Sequence, residues 1–386
     1  METVVLGWYV VTQTGSVLVL TVFGSLQYVG TLAAPMFGVL GDRRGGRAML
    51  RAMRATYAVL AAVLAALAFA GALTPGWVLA LAAIAGIVRP NDLAMRNTLI
   101  GVTIPANHLM GALGLSRMTA DSARVVGALA GATLSSALSL GYTYLFVTAF
   151  YLASLALTLG VSRRVSAAEP QGSAVPSSAL AGTGRDLREG LVRVARTPTL
   201  LAMMLLAFLV NLTAYPATNG LLPYVAQRVY RVDATGLGWL VASFAFGGLV
   251  ASIVTVLTSG ARHPERATLV AIAGWYAALL VFGHVETVGA GLFTLLLAGF
   301  AQNVAVIAMA ATLLGSAGSG FRGRIMGVRT LAIYGLPVGL LGAGLLIERL
   351  GFPLTNTLYA LIGLALTAWI GLRWRDALWR LPRARV

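Results

Sequence analysis

The chain has no cysteine and no lysine. Without thiols there is neither a disulfide framework nor a thiolate metal site. The three histidines, His108, His263 and His284, are scattered, so a histidine-built metal centre is not expected and no cofactor is implied. Charge is scarce as well. Only 10% of the 386 residues are charged, 58% are hydrophobic, and the mean hydropathy is +0.85. A soluble domain carries about 25% charged residues. A water-soluble fold could not conceal this much apolar surface, so the solvent is lipid. No G-x-x-x-x-G-K-[ST] loop occurs, which removes the usual device for using ATP. The scattered Ser and His residues form no local nucleophile signature. Nothing in these residues points to an enzyme. The N-terminus also lacks the basic region and the cleavage site of a signal peptide.

What is abundant is arginine. Twenty-eight basic residues, all Arg, stand against 12 acids, for a net charge of +16. Such a surplus can mark nucleic-acid binding. Here the arginines gather in short clusters between apolar runs, which is the pattern of membrane topology. A bilayer is the expected partner, and nucleic acid is not. Apolar runs able to cross the hydrocarbon core fall near 17–40, 55–73, 77–97, 111–138, 142–160, 199–224, 236–259, 267–285, 288–314, 327–347 and 353–373. Arginine clusters follow every second run: Arg43 to Arg54, Arg163 to Arg196, Arg262 and Arg266, Arg322 and Arg324, and Arg373 to Arg385. The alternate loops near 71–77, 139–143 and 285–290 have none. Positive residues stay inside, so the clusters and both termini are expected on the cytoplasmic side of a bacterial inner membrane. Arg228 and Arg231 fall on the other side, offset in part by Asp233.

This alternation requires a crossing before the 17–40 run. Only Val4 to Val11 is available for it, about half a span. Either the first helix is very short or the natural chain begins upstream of Met1, and the second reading is preferred. In the middle, Ala167 to Gly184 is rich in Ser, Pro, Gly and Ala and reads as a flexible linker. Leu187, Leu191 and Val194 then recur at helical spacing among Arg188, Arg193 and Arg196, the pattern of an amphipathic helix at the membrane surface. The linker divides six spans from six. Thr14-Gly15 before the second span is echoed by Thr235-Gly236 before the eighth. The expected fold is therefore an all-α membrane protein of twelve transmembrane helices, the first truncated, in two six-helix bundles with pseudo-two-fold symmetry. The expected divisions are an N-terminal bundle at 1–160, a linker at 161–198, a C-terminal bundle at 199–374 and a basic tail at 375–386.

One loop narrows the class. Gly38-Val-Leu-Gly-Asp42-Arg43-Arg44-Gly45-Gly46-Arg47 follows the second span. Glycines let helices approach and turn sharply. Asp42 can cap a helix N-terminus, and Arg43 and Arg47 can pair with acids or lipid phosphates. The pattern G-x-L-x-D-R-x-G-x-R at this position resembles the signature of the major facilitator superfamily, with Gly46 in place of a usual basic residue. The resemblance implies that Gly38, Asp42, Arg43, Gly45 and Arg47 form a cytoplasmic latch between two halves that rock. Further stretches resemble the branch containing enterobactin exporters and macrolide efflux pumps: Thr14-Gly15-Ser16, Arg124-Val-Val-Gly127-Ala-Leu-Ala-Gly131, Leu187 to Pro198, and Arg322-Gly-Arg324-Ile-Met-Gly327. Ala128 stands where that branch usually has proline.

Charges inside spans cost roughly 2.5–3.5 kcal/mol on insertion scales, so each calls for a functional hypothesis. The fourth span carries Arg89, Asp92 and Arg96, with Pro90 freeing a backbone carbonyl beside them. Asp92 and Arg96 can pair at i, i+4. Arg89 has no partner in sequence and is the leading candidate for a cavity charge. A basic residue in this span is also familiar in proton-coupled exporters, as the resemblance implies. The competing reading is a structural ion pair. Asp121, between Arg117 and Arg124 on the fifth span, fits a structural or gating network better than a proton relay. Gln27, Asn211, Gln302 and Asn303 either line a cavity or bond helix to helix. Tyr215-Pro216 interrupts the seventh span. These readings converge on a monomeric secondary transporter that exports an amphipathic small molecule (a drug, a siderophore or another metabolite) against a proton gradient. A metabolite importer of the same fold and a transport-inactive membrane scaffold are the alternatives, the latter prompted by the short first helix.

Overall fold

A computed structural model of the chain describes residues 1–31, 46–103, 109–160, 179–258, 263–317 and 321–379. Within its helices, the side chains at 46–47, 90–103, 109–114, 117, 179–187 and 322–323 lie outside the description. Among the described residues there is helix and turn but no strand. The chain packs as two compact units: Met1–Gly184 with Val232–Gly238, and Arg185–Arg231 with Trp239–Val386.

In the first unit the helices are α1 (Glu2–Thr14), α2 (Val17–Leu26), α3 (Gly46–Phe69), α4 (Pro75–Thr103), α5 (Leu109–Ala137) and α6 (Leu140–Leu159). Thirteen residues make α1 about 20 Å long, short of a roughly 30 Å hydrocarbon core. It ends because Gly15 adopts φ 63, a left-handed cap whose N–H returns to the Val11 carbonyl. Ser16 then caps α2, its hydroxyl accepting from the Val19 N–H at 3.4 Å. The Thr14-Gly15-Ser16 motif is thus a helix stop, a turn and a helix start. The apolar run expected at 17–40 breaks after Leu26, where the chain leaves α-geometry at Gln27 and Tyr28 before a short 3-10 turn at Val29–Thr31. Residues 32–45, including Gly38, Asp42, Arg43 and Gly45 of the signature loop, lie outside the described residues. Arg47 falls in the first turn of α3, with its side chain outside them. The core of this unit joins α3, α4 and α6: Met49, Met53, Tyr57 and Val88 are buried, and the rings of Tyr57 and Tyr151 stack at 5.2 Å.

The second unit begins within α7 (Ala179–Arg196), at Arg185, and continues with α8 (Pro198–Thr213). The helix breaks at Ala214, where Tyr215-Pro216 predicts it, and continues as short turns through Tyr215–Asn219, Leu222–Tyr224 and a π-turn at Val225–Val229. Then follow α9 (Ala234–Leu257), α10 (Pro264–Phe282), α11 (Val288–Ser316), α12 (Arg322–Leu331) and α13 (Gly335–Arg373). Small residues set the crossings. A Cβ on Gly247 would overlap the Leu296 carbonyl, and one on Gly299 the Phe244 carbonyl, so α9 and α11 touch backbone to backbone. Ser243 donates to the Leu292 carbonyl across the same seam. Gly339 meets the Leu212 carbonyl in the same way. That carbonyl is four residues before Pro216, which has no N–H to offer it.

Six described helices are long and apolar enough to span: Ala48–Phe69, Leu140–Leu159, Ala234–Leu257, Pro264–Phe282, Val288–Ser316 and the path Arg324–Arg373; a seventh counts if the bent pair α7–α8 is one span. The eleven runs read from sequence exceed this number for three reasons. The run at 111–138, which carries Arg117, Asp121 and Arg124 on α5, is not among the six. The described apolar parts of α2 and α4, Val17–Thr31 and Pro75–Arg89, are shorter than a span. The path Arg324–Arg373 also folds back on itself. Gly351 has φ 79 and ψ 167, outside helical geometry. The Tyr359 hydroxyl donates to the Gly339 carbonyl at 2.9 Å although 20 residues separate them, which a straight helix would hold about 30 Å apart. Gly351→Ala should cost about 1–3 kcal/mol, because that backbone region is essentially restricted to glycine. A thermal melt of the detergent-purified chain, monitored by size exclusion, should show the variant unfolding at lower temperature; an unchanged transition would remove the strain argument.

Candidate functional site

Glycine again decides what meets what. A Cβ on Gly86 of α4 would overlap the Leu26 carbonyl, and one on Gly30 the Gly86 and Ile87 carbonyls. The end of α2 therefore lies directly against α4, one turn before Arg89. The Gly86 carbonyl is the one left without a helical donor by Pro90, and it faces the Gly30 α-carbon. At the other side, glycines in α5 admit the start of α1: a Cβ on Gly131 would sit 2.7 Å from Met1 Cγ. The far end of α1 is tied by the Tyr9 hydroxyl, which donates to the Leu73 carbonyl at 2.8 Å.

These contacts bring three helices to one guanidinium. Arg89 Nη2 donates to Glu2 Oε2 at 3.1 Å. Its Nη1 donates to Gln27 Oε1 at 2.5 Å and to Thr3 Oγ1 at 3.4 Å. From α6, the Tyr151 hydroxyl donates to the same Glu2 oxygen at 2.7 Å. The Arg89 and Glu2 side chains are 37% and 18% exposed, so the pair is neither sealed in the core nor fully in water. It looks into two recesses. One is a narrow pocket of about 20 Å³ whose walls include Phe23, Tyr57, Leu64 and Leu81; the other, of about 390 Å³ and more open, is bounded by Val147, Phe150 and Tyr151. Glu2, Thr3 and Arg89 line both. The hydroxyl of Tyr144, also on α6, is fully buried and has no hydrogen-bond partner among the described residues.

Of the residues singled out in the sequence, Gln27 and Arg89 are brought together. Asp92 and Arg96 follow Arg89 along α4, with their side chains outside the described residues, as is that of Arg117. On α5, Asp121 is 5% exposed, whereas Arg124 one turn on is exposed. Asn211 turns its amide to the Ala207 carbonyl of its own helix, at 2.8 Å. Gln302 donates to the Tyr215 hydroxyl at 2.8 Å, and the Tyr215 ring meets Trp275 edge-on at 4.9 Å. Asn303 instead bonds the Gly248 carbonyl and Ser252 Oγ, bracing α9 to α11. Glu2, Thr3 and Tyr151 were not anticipated. Glu2 carried a signal all the same. It is the only acid before Asp42, and it opens an apolar helix.

The sequence matches the family model of the Major Facilitator Superfamily over residues 3–340. The chain belongs to this superfamily. It is accordingly a multi-pass membrane protein of the transporter fold and not an enzyme. Solved structures agree on the fold. A bacterial homologue of the human lysosomal transporter Spinster, in an inward-facing unoccupied conformation, superimposes with a TM-score of 0.70 at 14% identity, covering 99% of this chain and 94% of that one. The nucleoside transporter NupG gives 0.65 at 13% identity, covering 98% and 95%. The human organic anion transporter MFSD10 gives 0.59 at 18%, covering 92% and 83%. Comparison with curated proteins finds no significant relative. Neighbours with such different cargoes share the fold alone, so cargo must be argued from the site.

Two predictions follow from this geometry. Gly86→Leu should drive α2 from α4 and separate Gln27 from Arg89, abolishing transport while the protein still inserts. Surface expression and cargo accumulation in cells would be compared, and normal transport by the variant would refute the packing account. Removing one member of the ion pair strands the other in a poorly solvated place, which is worse than removing both. Arg89→Met should therefore destabilise the purified protein more than Glu2→Gln/Arg89→Met together. Additive melting shifts would mean the two groups do not interact.

Proposed function

We propose that this member of the superfamily is a secondary active transporter that exports an amphipathic small molecule in exchange for protons, by alternating access. The observation carrying the proposal is the Glu2–Arg89 pair at the mouth of recesses walled by Phe23, Tyr57, Phe150 and Tyr151. Of its two members only the carboxylate can change charge, since a guanidinium stays protonated. Ionised, Glu2 holds Arg89 and accepts from Tyr151. A proton taken from outside neutralises it, and the charge-assisted bond to Arg89 is lost. The Tyr151 hydroxyl can then accept from the acid instead of donating to the carboxylate. Arg89 is released toward the recess, where its position no longer favours bound cargo. Loss of the proton on the other side restores the pair. Proton and cargo thus take turns at one site, which is what exchange requires.

The remaining parts of the reading belong to the same proposal. Twelve spans form two six-helix bundles at 1–160 and 199–374, joined by 161–198 and followed by a tail at 375–386. Gly38, Asp42, Arg43, Gly45 and Arg47 latch the halves on the cytoplasmic side. The Asp121–Arg124 region serves gating, Asp92 and Arg96 belong with Arg89 to the cavity and coupling residues, and Asn211, Gln302 and Asn303 support the second bundle's part of the pathway. The protein works as a monomer in a bacterial inner membrane with both termini inside, and it resembles the enterobactin and macrolide exporters in the motifs at 14–16, 124–131, 187–198 and 322–327. The short first helix, which prompted the idea of an inactive scaffold, supplies the acid of the central pair, and this favours a working transporter.

The test is accumulation of a dye and drug panel in cells lacking their own exporters. The wild type should lower accumulation of at least one compound, and Arg89→Ala, Glu2→Gln and a protonophore should each restore it. Raised accumulation would reverse the direction to import. No change across the panel, with expression verified, would contradict broad efflux.

A further inference from the structure

The linker helix α7 has two faces with different fates. Its inner face is fixed within the second unit. A Cβ on Gly190 would press on Val328 at 3.0 Å and the Arg324 carbonyl at 3.2 Å, and Val194, one turn on, is buried. Glu189 pairs with Arg324 at 3.2 Å. The guanidinium groups of Arg193 and Arg324 lie over the Phe321 ring, 5.7 and 5.2 Å from its centre. The outer face is different. Arg188, Val192 and Arg196 recur every four residues along one exposed row. Leu191 and Val192 are 44% and 43% exposed. Neither Arg188 nor Arg196 has an acid partner among the described side chains.

Water is a poor solvent for that apolar pair, and the geometry supplies a better one. The axis turns by 110° between α7 and α8. With α8 entering the bilayer, such a turn lays α7 along the membrane plane. The same end of this unit carries the marks of an interface. The rings of Trp369 and Trp374 meet edge-on there at 5.8 Å and Arg266 lies over Trp379, with Arg373 and Arg375 exposed nearby, and aromatic residues of this kind settle at headgroup level. The turn Arg375–Leu378 packs against α8. A helix in this plane, with leucine and valine between exposed arginines, matches a leaflet whose headgroups are negative.

We infer that the outer face of α7 binds anionic phospholipid, with Leu191 and Val192 dipping between the acyl chains and Arg188 and Arg196 on headgroup phosphates. The bound lipid holds the linker helix on the membrane, and the Glu189–Arg324 pair and the Phe321 stack transmit that position to α12. This surface is independent of cargo and of the coupling ion.

The test uses the full chain in nanodiscs of phosphatidylcholine alone or of equal parts phosphatidylcholine and phosphatidylglycerol, with amide hydrogen exchange followed over residues 188–196. Phosphatidylglycerol should slow exchange there by about fivefold or more, the effect expected of one arginine near an anionic surface. The double variant Arg188→Gln/Arg196→Gln should exchange equally in both discs, while Arg51→Gln, on α3 of the other unit, should keep the wild-type difference. Equal exchange of the wild type in the two discs would overturn the inference, and that comparison does not depend on any variant folding. Persistence of the difference in the double variant would overturn the role of these arginines. Slowing by inorganic phosphate in phosphatidylcholine discs, at matched ionic strength, would show a free-anion site and overturn the lipid assignment.

Discussion

An ion pair placed where water is scarce is the constraint on which the first unit depends. Arg89 cannot shed its charge, and an unpaired charge in a low-dielectric setting is costly. Every nearby element answers that demand. The first helix brings Glu2 and Thr3, the end of α2 brings Gln27, and α6 brings Tyr151 to orient the carboxylate. In the exchange proposed above, a proton on Glu2 releases Arg89.

The pair could not form without close backbone contacts. The crossing of α2 and α4 at Gly30 and Gly86 is tighter than any side chain permits, and so is the crossing of α8 and α13 at Gly339. In both units a proline four residues downstream leaves a carbonyl without its helical donor, at Gly86 and at Leu212, and a glycine of a neighbouring helix covers it. In lipid, helices gain little from hydrophobic association, so contacts of this kind do much of the holding. They also fix side-chain position to within a hydrogen-bond length, which a leucine-packed crossing would not.

Much of the fold was legible in the sequence, because lipid imposes simple rules. Apolar runs mark membrane helices, and Tyr215-Pro216 marks the break in α8. Helix ends were legible where glycine or serine dictates them, at Thr14-Gly15-Ser16. The end of α2 was not legible, since nothing apolar stops at Gln27; just beyond it the backbones meet at Gly30 and Gly86, a contact across 56 residues of sequence that no local pattern announces. Arg89 stood out because it is charged in an apolar run, and Gln27 because it is polar in one. Glu2 and Tyr151 escaped for opposite reasons. The acid sits at the edge of its segment, and a tyrosine in a span reads equally well as packing. Asn303 shows the limit of polarity as a signal, since its bonds brace two helices, whereas Gln302 beside it bonds Tyr215 at the helix break.

The central claim is that Glu2 carries the proton and does not merely bind the cargo. Proteoliposomes separate the two roles. With a compound that the cell panel shows to be exported, the exchange of labelled for unlabelled cargo would be compared with uptake driven by a pH gradient, in wild type and Glu2→Gln. The account predicts that the variant keeps cargo exchange and loses the response to the gradient. A variant that still concentrates cargo when only the pH gradient is applied would contradict it.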